Sequence, residues 1–554
     1  MSCKCFTFVL IVYICCNVIY SKRPPNIIFF IADQQRQDSI GAYPDSVGIT
    51  PNLDSLADDG ILFVNSWTST PSCTPARSAI LTGRNPWGHG MIGYGSVATK
   101  FPYELVPPLN DKGYITASIG KNHFGFYTYN GTFNPATHEY SYLDLYDGLG
   151  NGLPQNDSNC AYDDYDEHFQ YVLPGDDPLA TGKPLLNWNS WEGSPYIYNE
   201  SIHPTSWVTE SALSWIDNYI TNEEAYNIVP FFLKISYHRP HSPYDPPQEY
   251  INQVINEYDL DRVTNILHGN YWDERFANNE WCQQSMTAAW CGWFQENITN
   301  FSRIAYHANV KFIDTEMGTI LNKLKESDLY NNSYILWTAD HGDQLGDHNL
   351  WRKTYPYNSN AKIPMIIKWP NKYGNTDFNV DDIAIPRGTI NYDNIVELRD
   401  LLPTFHNVSG IIIPDHFNGT NWTVDGLNMN CILYNECQWR SWLDLEHSTC
   451  YNETNHWNAL TDGLTYKYIF NAFFGNESLF NLSNDPNEMN DLAPLALNNT
   501  SINATLIEWR TRLINMFEQQ NRGDTWVKNG ELQIRPKGQT YSPNYPGNPA
   551  PCQG

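Results

Sequence analysis

Basic residues are scarce in this chain of 554 residues, because 33 lysines and arginines stand against 61 aspartates and glutamates, for a formal net charge of -28. So little positive charge argues against a nucleic-acid-binding protein and against a polybasic membrane protein. Internal repeats and low-complexity tracts are also lacking. The length allows three or four domains of about 150 residues, or one large α/β domain with an appendage, and a sizeable core in either case.

Long apolar runs are lacking except at the start of the chain. Residues 1–21 place Lys4 ahead of an apolar segment that is marginal in length for spanning a bilayer. This arrangement is typical of a cleaved secretory signal, with an uncleaved anchor as the alternative. We therefore predict secretion or delivery to a lysosome, with no membrane span after signal cleavage.

Cysteines and glycosylation sequons agree with export. Eight of the twelve cysteines follow the presumed signal. An oxidising compartment joins most such thiols in disulfides, and Cys282 with Cys291 is a plausible pair, although spacing does not fix connectivity. Asn-x-Ser/Thr sequons recur along the chain, for example at Asn130, Asn297 and Asn421, and predict N-glycans.

Apolar runs of strand length recur, and polar residues follow each of them. The runs at 27–31, 114–119, 230–235 and 334–337 end near Asp33, Lys121, His241 and Asp340, respectively. Continuous apolar runs suit strands that are buried on both faces of a parallel sheet. Ligands of such sheets usually gather at the carboxyl ends of the strands, so we expect these polar residues to lie together.

Helical periodicity lies between the apolar runs. Thr50 and Pro51 are typical of a helix start, and we predict a helix that continues to Asp59. The spacing of apolar residues over 303–326 predicts a long amphipathic helix. Alternating strands and helices predict an α/β fold with a large, mostly parallel mixed sheet between helices.

The pattern changes from about residue 435 onward. Residues 466–470 and 478–482 resemble short antiparallel strands, and 505–520 a closing helix. We therefore predict a signal peptide at 1–21, an N-terminal catalytic domain at 22–434, and a C-terminal α+β subdomain with its tail at 435–554. Two irregular inserts, at 139–199 and 268–301, are either rims over an active site or surface excursions.

The segment from Cys73 to Gly83 carries the most distinctive motif. Cys73-Thr-Pro-Ala-Arg77 is followed by a Leu-Thr-Gly-Arg tail. The proline suits the first turn of a helix and Gly83 suits its end, so Cys73 would lie at a helix N-terminus, where free N–H groups favour an anion. A cysteine that is simply packed at a helix start is the alternative interpretation.

This motif resembles the signature of the type I sulfatases, in which the cysteine is oxidised during export to Cα-formylglycine by the formylglycine-generating enzyme. Further segments resemble family blocks in the same order along the chain, and the resemblance implies the alkaline phosphatase-like fold. These segments begin at Pro25, Gly113, Pro240, Asp340 and Val396, and a last one spans 479–492. Asp340-His341 also resembles the phosphonate monoester hydrolase and choline sulfatase branches.

The resemblance implies one divalent metal ion held by Asp33, Gln34, Asp340, His341 and the modified Cys73. Hard oxygen ligands suit Ca²⁺, which we expect first, whereas an imidazole at His341 suits Mn²⁺ or another transition ion better.

The resemblance also implies the roles of the basic residues. Lys121 and Lys353 would hold sulfate oxygens, and Arg77 would orient the formylglycine hydrate. His241 would assist the departing oxygen, and His123 would accept a proton as sulfate is expelled. The acidic net charge favours small aryl or carbohydrate sulfate esters over extended sulfated polymers.

Two alternatives stay open: a phosphonate or phosphodiester hydrolase, and a non-catalytic secreted glycan-binding protein with an unmodified Cys73.

Overall fold

The computed structural model describes residues 24–124, 137–148, 163–178, 181–182, 186, 191–222, 229–267, 291, 295–371, 387–415, 417, 422–434, 438–448 and 454–547. The predicted signal segment, five of the fifteen predicted sequons and Cys282, the predicted partner of Cys291, lie outside these residues. Within them, no helix is both long and apolar enough to cross a lipid bilayer.

An eight-stranded mixed sheet forms the centre of the larger part of the chain. Its strand order is β5–β4–β6–β1–β7–β8–β2–β9. The strands are β1 (Asn26–Asp33), β2 (Ile61–Phe63), β4 (Ile115–Gly120), β5 (Tyr142–Leu145), β6 (Phe231–Pro240), β7 (Ser333–Ala339), β8 (Met365–Lys368) and β9 (Thr389–Asn391). β1 pairs in parallel with β6 and β7, and the antiparallel pairs all involve β8. β3 (Ser66–Trp67) and β10 (Val396–Glu397) form a separate short pair.

Helices cover both faces of this sheet. The longer ones are α1 (Pro51–Asp58), α2 (Cys73–Thr82), α5 (Asp164–Val172), α6 (Pro204–Thr221), α7 (Gln248–Glu257), α9 (Glu296–Glu326) and α11 (Leu401–Val408). Short helices are α3 (Pro86–His89), α4 (Val106–Asp111), α8 (Leu260–Val263) and α10 (Asn358–Ala361).

The central strand β1 is buried on both of its faces. Ile27 and Phe29 pack with α2 and α11, whereas Ile28 and Phe30 pack with α1, α6 and α9. Side chains alternate between the two faces of a strand, so only a continuous apolar run can pack against helices on both sides. This sandwich confirms the predicted mostly parallel α/β sheet.

The C-terminal region forms a second, antiparallel sheet. It contains β11 (Leu443–Ser448), β12 (His456–Thr461), β13 (Tyr466–Asn471) and β14 (Glu477–Asn481) in sequence order. Helix α12 (Thr500–Gln519) packs on one face, and Trp67 and Leu350 of the larger region pack on the other. β15 (Val527–Lys528) and β16 (Glu531–Leu532) form a final hairpin. The sheet confirms the predicted fold class of this region, and the domain boundary at 435 stays a prediction.

Some predicted element bounds were wrong. The long helix begins at Glu296 rather than at 303, so the end of the 268–301 insert is helical. Ile298 and Phe301 pack against neighbouring aromatic clusters and continue the apolar stripe into a polar stretch. The 139–199 insert contains β5 and α5, and Asp163 caps α5 by accepting from the backbone N–H of Asp166.

His406 on α11 is buried between two hydrogen-bond partners. Its Nε2 lies 2.8 Å from the carbonyl oxygen of Leu105, and its Nδ1 lies 3.1 Å from the hydroxyl of Tyr103. Both contacts fit a neutral ring that donates through Nε2 and accepts through Nδ1. Burial lowers the pKa of His406 from 6.5 to about 4.

We predict that His406→Gln changes the pH dependence of stability. Because the pKa of His406 is lower in the folded state, its contribution is present above pH 6.5 and is lost as the pH falls toward 4. The difference in the free energy of unfolding between wild type and variant should narrow by about 3 kcal/mol over this window. Denaturant unfolding at several pH values measures it, with His168→Gln at a partly exposed position as control. A constant difference would contradict the prediction.

Candidate active site

The predicted site residues meet at the carboxyl edge of the central strands. β1 ends at Asp33, and Lys121, His241 and Asp340 directly follow the last residues of β4, β6 and β7. These four strands are adjacent in the order β4–β6–β1–β7. The sheet therefore brings together side chains that are up to 307 positions apart in the printed sequence.

Cys73 is the first residue of α2, and its free thiol is only 1% exposed. Gly83 ends the helix with a φ of 65°, a conformation that glycine adopts without strain. The Cys73 Sγ lies 2.7 Å from Nζ of Lys353, 3.3 Å from Nε2 of His341 and 3.5 Å from Oδ1 of Asp33. The structure thus places Cys73 at the centre of the cluster.

Asp33, Cys73, Asp340 and His341 can direct one ligand atom each to a common point, since these atoms lie within 4.8 Å of one another. All four residues are buried. The ring of His341 has Nδ1 2.9 Å from the carbonyl oxygen of Gly342, which fits an Nδ1–H donor and leaves the lone pair of Nε2 facing the cluster. Such a donor set fits a divalent cation.

Gln34 adds an independent indication of a cation. Its Nε2 donates to Oδ2 of Asp343 at 2.5 Å, and its backbone N–H donates to Oδ1 of Asp340 at 3.1 Å. The amide oxygen Oε1 is buried and has no hydrogen-bond partner among the described residues. A buried acceptor without a donor is rare, and a metal ion would satisfy it. The residues here therefore fit the metal site that the sequence predicted.

Arg77 lies one turn after Cys73 and fixes the second carboxylate. Its Nε donates to Oδ2 of Asp340 at 2.9 Å, and its Nη1 donates to the carbonyl oxygen of Lys121 at 2.7 Å. Burial lowers the pKa of Arg77, but the carboxylate of Asp340 raises it above its ordinary value, so the guanidinium stays charged. The Arg77 guanidinium thus donates to Asp340, to Lys121 and to Ser236.

Lys121 and Lys353 supply the remaining positive charge. Nζ of Lys121 forms an ion pair with Asp33 and lies 4.0 Å from Sγ of Cys73. Burial raises the pKa of Asp33, but Lys121 lowers it well below its usual value. Burial and Asp33 raise the pKa of the Cys73 thiol, whereas both lysines lower it, and the net shift is downward. The cluster is thus arranged to stabilise negative charge at residue 73.

The two predicted histidines follow the neighbouring strands β4 and β6. His241 is buried, its Nδ1 is 2.7 Å from the carbonyl oxygen of Ser242, and its backbone N–H donates to the carbonyl oxygen of Asp33. His123 is half-buried, and its Nε2 lies 3.3 Å from the hydroxyl of Tyr94. Burial lowers the pKa of both rings well below 6.5. The positive charge of Lys353 lowers the pKa of His241 further, and that of Lys121 lowers the pKa of His123 further.

Three features of the site were not found from the sequence. Tyr94 contacts the ring of His123, and Asp343 accepts from Gln34. Thr354, directly after Lys353, has a φ of 84°, an unusual conformation for a β-branched residue. Sequence signals for these residues are absent, because their placement depends on contacts between segments far apart in the chain.

The strained backbone at Thr354 is held by the C-terminal sheet. Its carbonyl oxygen accepts from Nε1 of Trp457 at 2.9 Å, and its hydroxyl accepts from Nδ2 of Asn455 at 2.7 Å. Its own N–H donates to the carbonyl oxygen of Pro71, two residues before Cys73. Strain of this kind persists only where surrounding contacts over-determine it. The C-terminal sheet thereby positions Lys353 against Cys73.

A large mixed sheet between two layers of helices, followed by a smaller antiparallel sheet, is the alkaline phosphatase-like fold. A family model described as Sulfatase matches residues 25–411. The chain belongs to the sulfatase family and is therefore a sulfuric ester hydrolase by class, as the sequence predicted.

Relatives of known sequence and structure agree with this assignment. An arylsulfatase from Clostridium perfringens is 30% identical over 505 residues, which cover 90% of this chain and 96% of that protein. Iduronate 2-sulfatase from Homo sapiens is 25% identical, with 70% of each chain covered.

Solved structures share the fold. A phosphonate monoester hydrolase from Silicibacter pomeroyi superposes with a TM-score of 0.68 at 20% identity, covering 92% of this chain and 99% of that one. A protein in complex with its substrate D-glucosamine-2-N,6-O-disulfate has a TM-score of 0.64 at 18% identity, with 91% and 99% covered.

We predict that Arg77 and Asp340 are strongly coupled in stability. Arg77→Met leaves a buried carboxylate without its partner and should cost about 3–5 kcal/mol of the free energy of unfolding. The double variant Arg77→Met/Asp340→Asn should lose clearly less than the sum of the single losses. Denaturant unfolding in excess chelator measures this without interference from metal.

The exposed pair of Arg512 and Glu508 on α12 is the matched control for this cycle. Its coupling energy, from Arg512→Met and Glu508→Gln, should stay at or below about 0.5 kcal/mol. Equal coupling energies in the two cycles would contradict a structural ion pair at Arg77.

Proposed function

We propose that this chain hydrolyses sulfate monoesters of aryl or carbohydrate alcohols through a formylglycine hydrate made from Cys73, with one bound divalent metal ion. The observation that carries the proposal is the position of Cys73. It begins a buried helix and lies within 3.5 Å of a lysine, a histidine and a carboxylate. No thiol in a merely packed position needs so many charged neighbours.

Asp33, Gln34, Asp340 and His341 are the residues that would hold the metal ion, together with residue 73. When bound, the ion would lower the pKa of a hydroxyl at residue 73 and draw negative charge from the sulfate group. Three oxygen donors suit Ca²⁺, and the His341 nitrogen keeps Mn²⁺ open. Arg77 orients Asp340 for this task.

Conversion of Cys73 to formylglycine would supply a hydrate with two hydroxyl groups, one to attack sulfur and one whose deprotonation releases sulfate and restores the aldehyde. Conversion requires a formylglycine-generating enzyme during export. The present Sγ of Cys73 marks where these oxygens would lie. Lys353 lies 2.7 Å and Lys121 4.0 Å from this sulfur, which supports two ammonium groups beside a sulfate bound there. Both charges would stabilise the negative charge that sulfur–oxygen cleavage builds.

His241 is positioned to donate a proton to the departing oxygen. Its Nδ1 is engaged by the carbonyl oxygen of Ser242, so Nε2 is the nitrogen that exchanges a proton. The resting ring is neutral, because burial and Lys353 lower its pKa. An arriving sulfate ester brings negative charge, which favours the imidazolium form needed for donation.

His123 is positioned as the base for the second half of the reaction. Burial and Lys121 lower the pKa of its ring, so the ring is neutral and able to accept a proton from the remaining hydroxyl at residue 73. The phenol of Tyr94 lies 3.3 Å from Nε2 and orients the ring. The backbone of His123 has a φ of 57°, which indicates that neighbouring residues hold it in place. One of them is Asp147, whose carboxylate accepts the N–H of His123.

The substrate class follows from charge and from the relatives. Outside the local cationic cluster, the net charge of -28 repels long sulfated polyanions, and this repulsion favours small esters as substrates. Two relatives are named as an arylsulfatase and an iduronate 2-sulfatase, which supports an aryl or a carbohydrate alcohol. The second candidate, phosphonate or phosphodiester hydrolysis, draws on Asp340-His341 and on the similar fold of the phosphonate monoester hydrolase. A non-catalytic glycan-binding role requires an unmodified Cys73.

We further propose that the chain matures in the secretory pathway as a glycoprotein, with the signal at 1–21 removed and 22–434 as the catalytic domain. The region from 435 would then complete the site as a subdomain, through its contacts to Thr354. A protein delivered outside the cell or to a lysosome passes through the oxidising compartment in which formylglycine would form. Asn-x-Ser/Thr sequons and cysteines in the sequence support this route.

We predict that protein made in a host with a formylglycine-generating enzyme carries the aldehyde or its hydrate at residue 73 and cleaves an aryl sulfate. Peptide mass spectrometry across residue 73 and release of the phenol measure the two properties. Cys73→Ala should abolish turnover, because no other nucleophile is present at that position. Protein from a host without the enzyme should keep the thiol and lack activity.

An aryl phosphonate monoester is the comparison substrate in this assay. The proposal expects kcat/KM for the sulfate to exceed that for the phosphonate by at least about tenfold, a difference of 1.4 kcal/mol in transition-state binding. A reversed ratio would support the second candidate. A converted residue 73 with no turnover of either ester would contradict both.

We predict that the purified chain binds one divalent ion and that Asp33→Asn weakens the affinity by about 100-fold, because one charged ligand is lost. Isothermal titration with Ca²⁺ and with Mn²⁺ measures the dissociation constants. Asp393→Asn, at an exposed position, is the control and should leave them unchanged. Equal affinity in wild type and Asp33→Asn would reject the proposed ligand set.

A further inference from the structure

A buried histidine without hydrogen-bond partners lies on the C-terminal sheet. His447 of β11 is 1% exposed, and neither Nδ1 nor Nε2 has a partner among the described residues. Leaving a buried polar group unpaired costs about 1–3 kcal/mol. Native structures rarely keep such a group unless a ligand, an ion or an ordered water satisfies it.

The face of β11 that carries His447 points toward the larger region. Leu443 and Leu445 share this face, since side chains alternate along a strand, and they pack with Trp67 and Leu350. His447 is the next residue on the face, paired across the strands with Trp457. His447 is the last residue of β11 on this face, and its cross-strand neighbour Trp457 donates to Thr354, the residue after Lys353.

Two hydrogen bonds of the residues that neighbour His447 lead toward the site. The N–H of Ser448 donates to the carbonyl oxygen of Ile92 at 2.7 Å, two residues before Tyr94, which contacts His123. On the other side, Trp457 donates to Thr354, the neighbour of Lys353. The residues next to His447 thus contact the segment of Tyr94, the partner of His123, and the segment of Lys353.

Electrostatic neighbours of the ring agree with this placement. Burial lowers the pKa of His447 to about 3, and the next causes are the positive forms of His341, His456 and Lys353. The ring is therefore neutral and carries one N–H that can donate. The pKa of His456 is itself lowered to about 3, whereas that of Lys353 is raised, so Lys353 is the positive charge that would favour an anion as the missing partner.

We propose that His447 donates a hydrogen bond to an oxygen of the bound tetrahedral oxyanion, next to Lys353. This inference deepens the proposed function and rests on it for the identity of the anion as sulfate. His447 touches the substrate in this account and adds a neutral donor to the two lysines. The C-terminal sheet then contributes directly to the site, in addition to holding Thr354.

Substitution by leucine separates this role from a structural one. His447→Leu removes the unpaired ring while keeping apolar contact with Leu445 and Trp457, so the melting temperature should stay level or rise. The affinity for inorganic sulfate, measured by isothermal titration of the metal-loaded protein, should fall about tenfold to hundredfold. The kcat/KM for an aryl sulfate should fall by a similar factor.

Two amide variants serve as rescue. His447→Gln places an N–H near Nε2 and His447→Asn places one near Nδ1, so one of them should restore part of the sulfate affinity. His456→Gln is the control, because His456 pairs with Ser448 and lies on the opposite face of the sheet. It should leave sulfate affinity unchanged.

The outcomes separate the two claims. The role of His447 would be overturned if folded His447→Leu binds sulfate as tightly as the wild type does, whether or not its melting temperature is lower. If His447→Leu loses sulfate affinity and the wild-type protein turns over no sulfate ester, the anion contact would be supported and the proposed function contradicted.

Discussion

The balance of buried charge around Cys73 is the constraint on which the rest of the structure depends. Asp33 and Asp340 are both fully buried, which is tolerable only because Lys121 and Arg77 pair with them. These pairs form only if neighbouring parallel strands end at the same level and α2 begins above them. The order of the central strands, the apolar burial of β1 on both faces and the position of the helix all follow from this requirement.

The C-terminal sheet is part of the same arrangement rather than an independent appendage. Its Trp457 and Asn455 hold the strained backbone at Thr354, and this keeps the ammonium group of Lys353 against residue 73. Antiparallel strands with a fixed register can hold such contacts more rigidly than a loop. The family match ends at residue 411, whereas the residues that position Lys353 lie beyond it.

Sequence patterns predicted the elements that depend on local order. The apolar runs before Asp33 and Asp340 predicted both strands and the edge of the sheet at which the carboxylates meet. Pro75 and Gly83 predicted the first turn and the end of the helix that begins at Cys73. Lys353 has no such local signal, since its place depends on contacts to Thr354 from residues about a hundred positions later, and only the family resemblance indicated it. His447 alternates with leucines and reads as an ordinary strand residue, so only the fold shows its lack of partners.

A crystal structure of the converted, metal-loaded protein with a bound sulfate tests the central claim most directly. The account predicts a cation in contact with Asp33, Gln34, Asp340 and His341, and a sulfate beside residue 73 with the ammonium groups of Lys121 and Lys353 on its oxygens. An empty cluster under saturating metal, or a sulfate bound away from residue 73 while these two lysines keep their contacts to Asp33 and residue 73, would contradict the account.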